Sequence, residues 1–338
     1  MRSAVQRTGL FIVAGLVASS ISMRAMSQEQ VQPRVSLGSR QPLENPMLRG
    51  GDYTRYLEYD GLIRKVIVHV PPHVGQMTAL PVVFMLHPGA GSASQAQKCY
   101  GWDSVADREG FIVVYPQGTG GKASWDAVHC CWSAFERSVD DVGFIRETLH
   151  QLEVATPIDR SRVYAAGMSN GGMLTHRLAS EMSDEFAAVA VVAGTIGGQT
   201  SASEPIRQIA PPPRSVPIIM FHGEMDANVN FYGGPSHGVY PTTRIDLSQA
   251  DCIDFWVAAN ECDPQAPQYW VSDTGDVIRA SYSPMSASGA DVVHYAIVNQ
   301  GHAWPGGCPS NGLKGDPPTK EISATELSWA FFKAHPMR

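Results

Sequence analysis

A chain of 338 residues, 43% hydrophobic and 17% charged, can enclose a sizeable core as one large α/β domain or two small ones. Acids outnumber bases, 32 to 25, and no Lys/Arg cluster occurs, which argues against a nucleic-acid partner or an anionic membrane surface.

At the start of the chain, Arg2 and Arg7 precede an apolar run from Leu10 to Met23, and Ala25-Met26-Ser27 follows. A basic region, a short apolar stretch and a small-x-small site form a signal-peptide pattern over residues 1–27, with the cut near Ser27. The run is too short to span a bilayer comfortably. Export is therefore expected, to the periplasm or the medium, with no membrane association after cleavage. Without its leader the chain would carry 22 basic and 32 acidic side chains, a net charge near −10. Residues 28–50, with Pro33, Pro42 and Pro46, read as an irregular arm. Residues 51–338 read as a single domain.

Tyr53 to Val70 has the alternation of a β-hairpin, with Asp60-Gly61 as its turn. Short continuous apolar runs follow at Pro81–Leu86, Phe111–Tyr115, Arg162–Ala166, Phe186–Val192 and Val216–Phe221. Such runs suit parallel strands buried on both faces. Helical patterns fall near 139–154, 170–182, 247–259 and 323–334, and residues 268–298 add at least two strand-like runs. The alternation predicts an α/β fold, a doubly wound and mostly parallel sheet with an N-terminal antiparallel hairpin. Ser138-Val139-Asp140-Asp141 has the form of a capping box, so its acids are assigned to a helix start.

Gly167-Met168-Ser169-Asn170-Gly171 is a Gly-x-Ser-x-Gly pentapeptide between a strand and a helix. The glycines permit a tight turn that exposes the serine, and the helix N-terminus offers free N–H groups to an oxyanion. A serine hydroxyl needs a base. With this motif the order along the chain is Ser, then Asp or Glu, then His. Asp226 lies on the loop after the strand Val216–Phe221, with Glu224 as second choice. A calcium loop through Asp226, Asn228 and Asn230 fails, because Phe231 stands where Gly is needed and His237 where an acid is needed. His302 lies on a Gly-rich loop after the run Val292–Val298. The turn Leu86-His87-Pro88-Gly89-Ala90-Gly91 is where a second oxyanion N–H would come from, beside that of Asn170. Gly89 is the first candidate and Ala90 the second, since Pro88 has no N–H. Trp125, Trp132, Tyr232 and Trp304 fall on the same set of loops. His87, Trp125, Tyr232 and Trp304 are the substrate-binding candidates, the aromatic side chains being equally readable as core residues.

The six cysteines allow fifteen pairings. Cys252 with Cys262 is disfavoured, because a helix of about ten residues between them would hold their Cα atoms roughly 15 Å apart. No Cys-x-x-Cys pair with nearby histidines occurs, so no metal site is implied.

Six matching pieces, in order, carry a family resemblance. They are Leu86-His87, Tyr115-Pro116-Gln117-Gly118, Val139-Asp140-Asp141-Val142-Gly143-Phe144, Gly167–Gly171, His222-Gly223 with Asp226, and Gly301-His302-Ala303-Trp304-Pro305-Gly306-Gly307. The chain resembles the secreted α/β-hydrolase esterases that group polyhydroxybutyrate depolymerases with feruloyl and acetylxylan esterases. The resemblance implies a catalytic domain over 51–338, ester hydrolysis through an acyl-enzyme, no cofactor, and Ser169, Asp226 and His302 as the triad. The substrate would be a small or polymeric ester. Two other readings share the fold: a peptidase with the same triad, and a catalytically silent polymer-binding protein. Two positions depart from the family pattern. His87-Pro88 stands where the family has His-Gly, and Glu261 stands for Gly in Asn260-Glu261-Cys262. The comparison then suggests Cys262 with Cys308 as a pair.

Overall fold

The computed structural model describes residues 49–72, 79–238, 242–309 and 315–337. The expected leader, and the expected arm up to residue 48, lie outside the described residues. Strands β1 (Gly51–Tyr59) and β2 (Leu62–Val70) form the expected hairpin. Tyr59 pairs with Leu62, leaving a two-residue turn whose members Asp60 and Gly61 both have positive φ, 50° and 70°.

The chain continues through β3 (Leu80–Leu86), α1 (Ala93–Cys99), α2 (Trp102–Glu109), β4 (Ile112–Pro116), α3 (Trp132–Glu136) and α4 (Asp141–Ala155). Next come β5 (Ile158–Met168), α5 (Asn170–Glu181), β6 (Ala188–Val192), β7 (Gly197–Gln199), β8 (Arg207–Gln208) and β9 (Ile218–Gly223). The last third holds β10 (Gly234–Pro235), β11 (Ile245–Asp246), α6 (Gln249–Ala259), β12 (Gln268–Val271), β13 (Val277–Tyr282), β14 (Val292–Ile297) and α7 (Ala324–Ala334).

Ten strands make the main sheet, in the order β1-β2-β4-β3-β5-β6-β9-β14-β13-β12. The stretch from β4 to β14 is parallel throughout, and antiparallel pairs flank it. All five continuous apolar runs lie in this parallel stretch. Every residue of β3, β4, β6 and β9 is buried, as two covered faces require. The chain leaves β3 for β4 on one side and returns to β5 on the other. A crevice opens at such a reversal, beyond the carboxyl ends of the strands.

The two faces bury separate cores. Phe144 and Leu149 of α4, Leu174 and Leu178 of α5, and Trp256 of α6 pack on Val82, Phe84, Val163 and Val189. On the other face Trp102 of α2 and Trp329 and Phe332 of α7 pack on Val83, Met85 and Tyr164. There the Phe111 and Trp329 rings stack at 3.9 Å between centroids, and those of Tyr164 and Phe332 at 4.6 Å. A second, four-stranded sheet of very short strands, β10-β11-β7-β8, lies outside the main one.

The start of α4 differs in detail from the expected capping box. Asp140, not Ser138, caps the helix, its Oδ1 accepting the Gly143 N–H at 2.8 Å. Asp141 instead reaches back to β2, where its carboxylate pairs with the buried Arg64 at 2.7 Å and accepts the Asp126 N–H at 2.7 Å. The disulfides differ too. Cys99 pairs with Cys308, 5.0 Å apart at Cα, and Cys130 pairs with Cys131. Cys262 is free, so the suggested bridge to Cys308 is not formed. Its Sγ sits 3.1 Å from the Ala290 carbonyl in the interior. Cys252 is also free, with burial pushing its thiol up to about 12.

Candidate active site

Strand β5 ends at Met168 and helix α5 begins at Asn170, so Ser169 alone makes the turn. Its φ and ψ are 56° and −121°, a conformation that costs a non-glycine residue energy and that tight functional turns retain. The Ser169 N–H is bonded to the Val192 carbonyl at 2.8 Å, which fixes the turn to β6. Gly171 must lack a side chain. A Cβ there would stand 2.5 Å from the carbonyl oxygens of both Leu86 and His87. The first turn of α5 can therefore press against the end of β3, bringing the two loops at the crevice together. The Asn170 side chain binds elsewhere. Its Oδ1 accepts the Trp125 N–H at 2.8 Å and its Nδ2 donates to the Trp125 carbonyl at 3.0 Å.

Asp226 follows β9 and His302 follows β14, adjacent parallel strands. Their loops are joined, because the N–H groups of Glu224 and Met225 donate to the carbonyls of Ile297 and Gln300 at 2.9 and 3.0 Å. Asp226 is a short-range turn former: its Oδ1 accepts the N–H groups of Asn228 and Val229 at 2.8 and 2.9 Å. Those bonds aim the other oxygen, Oδ2, at His302 Nδ1, 2.6 Å away. His222 Nε2 lies 3.3 Å from the same oxygen and donates to the Val229 carbonyl at 2.8 Å. Burial alone would raise the Asp226 carboxyl. The imidazoles of His302 and His222 outweigh it and hold the group well below the usual carboxylate range. A carboxylate can only accept, so Nδ1 of His302 carries the proton and Nε2 the lone pair. The His302 N–H is held by Asp316 at 2.7 Å.

Pro88 and Gly89 follow β3. The Ala90 N–H, the second oxyanion candidate, is bonded to the Ala123 carbonyl at 2.8 Å, and the Gly91 N–H to the Pro88 carbonyl at 2.9 Å. Gly89 N–H has no acceptor among the described residues. Gly89 sits under the ring of Trp132 and beside Asn170. Ser169, Asn170, Gly89 and His302 line one cavity of about 630 Å³, together with Trp132, Phe135 and Pro88. Polar residues also line it: Thr200, Ser236, Thr242, Thr243, Arg244 and His129.

The four residues expected to bind substrate are not among those lining this cavity. Trp125 is fully buried, with its Nε1–H on the His87 carbonyl at 2.9 Å, and serves as the segment that Asn170 clamps. His87 is sealed beneath it, with Nδ1 2.8 Å from the Pro88 carbonyl and Nε2 accepting the Gly118 N–H at 2.9 Å. Burial pushes that imidazole down to about 4. Trp304 stacks on Tyr100 at 4.5 Å and donates to Thr325 at 3.0 Å, anchoring the His302 loop from below. Tyr232 is 70% exposed on the outer surface. The large aromatic residues that do reach the cavity are Trp132 and Phe135, both on α3. Sequence reasoning passed over His129 and Arg244. The run His129-Cys130-Cys131-Trp132, on the long connection between β4 and α4, was the available signal.

Comparison with known proteins agrees with this architecture. Residues 65–248 match the family described as esterase PHB depolymerase. Feruloyl esterase B of Piromyces equi is 29% identical over 61% of this chain. Poly(3-hydroxyalkanoate) depolymerase C of Paucimonas lemoignei is 29% identical over 70%. The chain spans 37% and 58% of the lengths of these two relatives, respectively. Among solved structures, an acetyl xylan esterase from Aspergillus awamori superposes with a TM-score of 0.58 at 14% identity. It covers 84% of this chain and 99% of its own. At that identity the likeness establishes the α/β-hydrolase fold. The family match extends over more than half of the sequence and takes in the serine turn, so this chain belongs to the esterase PHB depolymerase family.

Proposed function

We propose that this chain hydrolyses carboxylic esters through an acyl-enzyme. Ser169 is the nucleophile, His302 the general base, and Asp226 the carboxylate that orients the imidazole. The observation that carries this reading is the 2.6 Å contact of His302 Nδ1 with Asp226 Oδ2, at the edge of the cavity that Ser169 also lines. His302 Nε2 takes the hydroxyl proton as Ser169 Oγ attacks the ester carbonyl. The oxyanion is met by the N–H groups of Asn170 and Gly89, each such donor being worth about 3 kcal/mol in the transition state. The imidazolium then protonates the departing alcohol, the acyl group remains on Ser169, and water activated by the same imidazole releases the acid.

The signal-peptide pattern expected over residues 1–27 and the Cys99–Cys308 disulfide support action in an oxidising compartment outside the cytoplasm. Among the described residues no helix is long and apolar enough to cross a membrane. The relatives' names, feruloyl esterase and poly(3-hydroxyalkanoate) depolymerase, support an ester as the substrate class.

The test is hydrolysis of a p-nitrophenyl ester by the wild type and by Ser169→Ala, with circular dichroism to show that both are folded. Turnover and labelling by a fluorophosphonate probe should both vanish in the variant. Retained turnover would overturn the assignment.

A further inference from the structure

Asp226 Oδ2 meets two imidazoles, and the proposed acyl transfer uses only one of them. His302 puts Nδ1 at 2.6 Å from that oxygen, and His222, in β9, puts Nε2 at 3.3 Å. The side chains of His222 and Asp226 are both fully buried, so little solvent or salt screens the second contact. On the neighbouring strand β14, Ala296 lies opposite His222 and His294 opposite Met220. Side chains two apart on a strand share a face, so the rings of His222 and His294 project on the same side of the sheet. Phe231 packs against both, its ring 5.8 and 5.9 Å from theirs.

The hydrogen on His222 can be placed. Nε2 has the Val229 carbonyl at 2.8 Å and the Asp226 carboxylate at 3.3 Å, and both are acceptors. A lone pair there would face two others, so Nε2 carries a hydrogen in every charge state of the ring. Nδ1 is buried and has no hydrogen-bond partner among the described residues. The polar contacts of the ring thus converge on one atom. Its N–H holds the loop after β9 by the main chain at Val229 and sets the positive end of a dipole beside Oδ2. Val229 also donates its own N–H to Asp226 Oδ1 at 2.9 Å. The residue that His222 grips is therefore one of the two that orient the carboxylate.

This bears on the base. Partial positive charge beside Oδ2 reduces what the carboxylate can offer to His302, and with it the pull on the imidazole proton. We propose that His222 is a positioning residue that acts through Asp226, keeping His302 in its proton-accepting form at lower pH than the Asp226–His302 pair alone would. The inference rests on the reading of His302 as general base in ester hydrolysis. The titratable groups around the His222 ring are Asp226 on its own loop, His302 on the loop after β14, His294 on β14 and His176 on α5. Helix α6 adds Trp256, which does not titrate and donates to His176 Nδ1 at 3.0 Å. Burial holds His176 and His294 down to about 3, outside the range in which a catalytic imidazole titrates.

The experiment is the pH dependence of kcat/KM on a p-nitrophenyl ester between about pH 4.5 and 9, for the wild type and three variants shown to be folded by circular dichroism. His222→Gln keeps an amide N–H near the Nε2 position. His222→Asn ends near Nδ1, and His222→Phe has no donor at all. The Asn and Phe variants should each move the acid limb up by about 0.5 to 1 pH unit, the effect of losing one hydrogen bond to a coupled group. His222→Gln should return the limb close to its wild-type position. The Asn and Phe variants read the same quantity, so either one folding suffices. A residue that only holds the structure together would lower kcat without moving the limb. A limb that stays in place in a folded Asn or Phe variant overturns the proposal, and so does one that moves equally in His222→Gln. Ester hydrolysis at Ser169 stands in both cases. A wild-type profile without an acid limb would instead remove His302 as the base, and this role of His222 with it.

Discussion

The carboxylate of Asp226 and the imidazole of His302 meet at 2.6 Å although 76 residues separate them. Adjacent parallel strands deliver them, and two backbone N–H groups hold the carboxylate from behind. Replacing Asp226 with Asn would keep the shape and remove the charge that fixes the tautomer. Asp226→Asn is expected to lose kcat on the order of 10,000-fold with a small change in KM. Steady-state kinetics on a p-nitrophenyl ester read this directly. A loss below tenfold would mean that the imidazole needs no carboxylate.

Gly89 leaves no room for a methyl group, since a Cβ would lie 2.6 Å from Trp132 Cζ3. Gly89→Ala is therefore expected to displace either the oxyanion turn or the indole, lowering kcat/KM by about a hundredfold. The double variant with Trp132→Ala removes the clash and should recover much of that loss. Strict additivity of the two changes would contradict the contact.

Cys99 and Cys308 close a loop of 209 residues. Chain entropy assigns such a closure roughly 5 kcal/mol. Replacing both with Ser should lower the melting temperature by on the order of 10 °C for a domain of this size. Differential scanning calorimetry, with and without reductant, measures it. The wild type should shift under reductant by much more than the variant, which keeps only the Cys130–Cys131 pair.

His87, His176 and His294 are sealed in the interior, where burial holds them down to about 4, about 3 and about 3. The charge of Arg64 also lowers the first, and that of His222 the other two. Their native values lie below the unfolded value of about 6.5. The unfolded chain therefore binds more protons in acid, and stability is full above about pH 6.5. It falls through the range down to the native values, by about 1.4 kcal/mol per pH unit for each group. Melting temperatures between pH 7.5 and 4.5 should decline, and His294→Phe should flatten the decline. A flat wild-type profile over that range would contradict the burial of these rings in neutral form.

The main sheet could be read from sequence because β3, β4, β6 and β9 are buried on both faces and so spell continuous apolar runs. Ser169, Asp226 and His302 stood out because each follows such a run. The cavity wall left no comparable trace. Thr200, Ser236 and Arg244 adjoin β7, β10 and β11, strands of two or three residues, too short for any period to show. Helices α1 and α2 were missed for a related reason: they are short and largely polar. Trp125 and Trp304 stayed open between pocket and core because a loop tryptophan looks the same in sequence whether it faces substrate or anchors the loop. Their buried N–H partners, the His87 carbonyl and Thr325, decide the matter only in three dimensions.

The two bonds between the Asn170 side chain and the Trp125 backbone tie the long connection after β4 to the first residue of α5. Trp132 belongs to that connection, seven positions further on. A ligand that shoulders the indole aside would therefore pull toward Asn170, the residue proposed to offer its N–H to the reacting carbonyl. On the proposed mechanism, gripping the substrate and aligning the electrophile would be one event, and the clamp asks only that position 125 keep its backbone N–H and carbonyl.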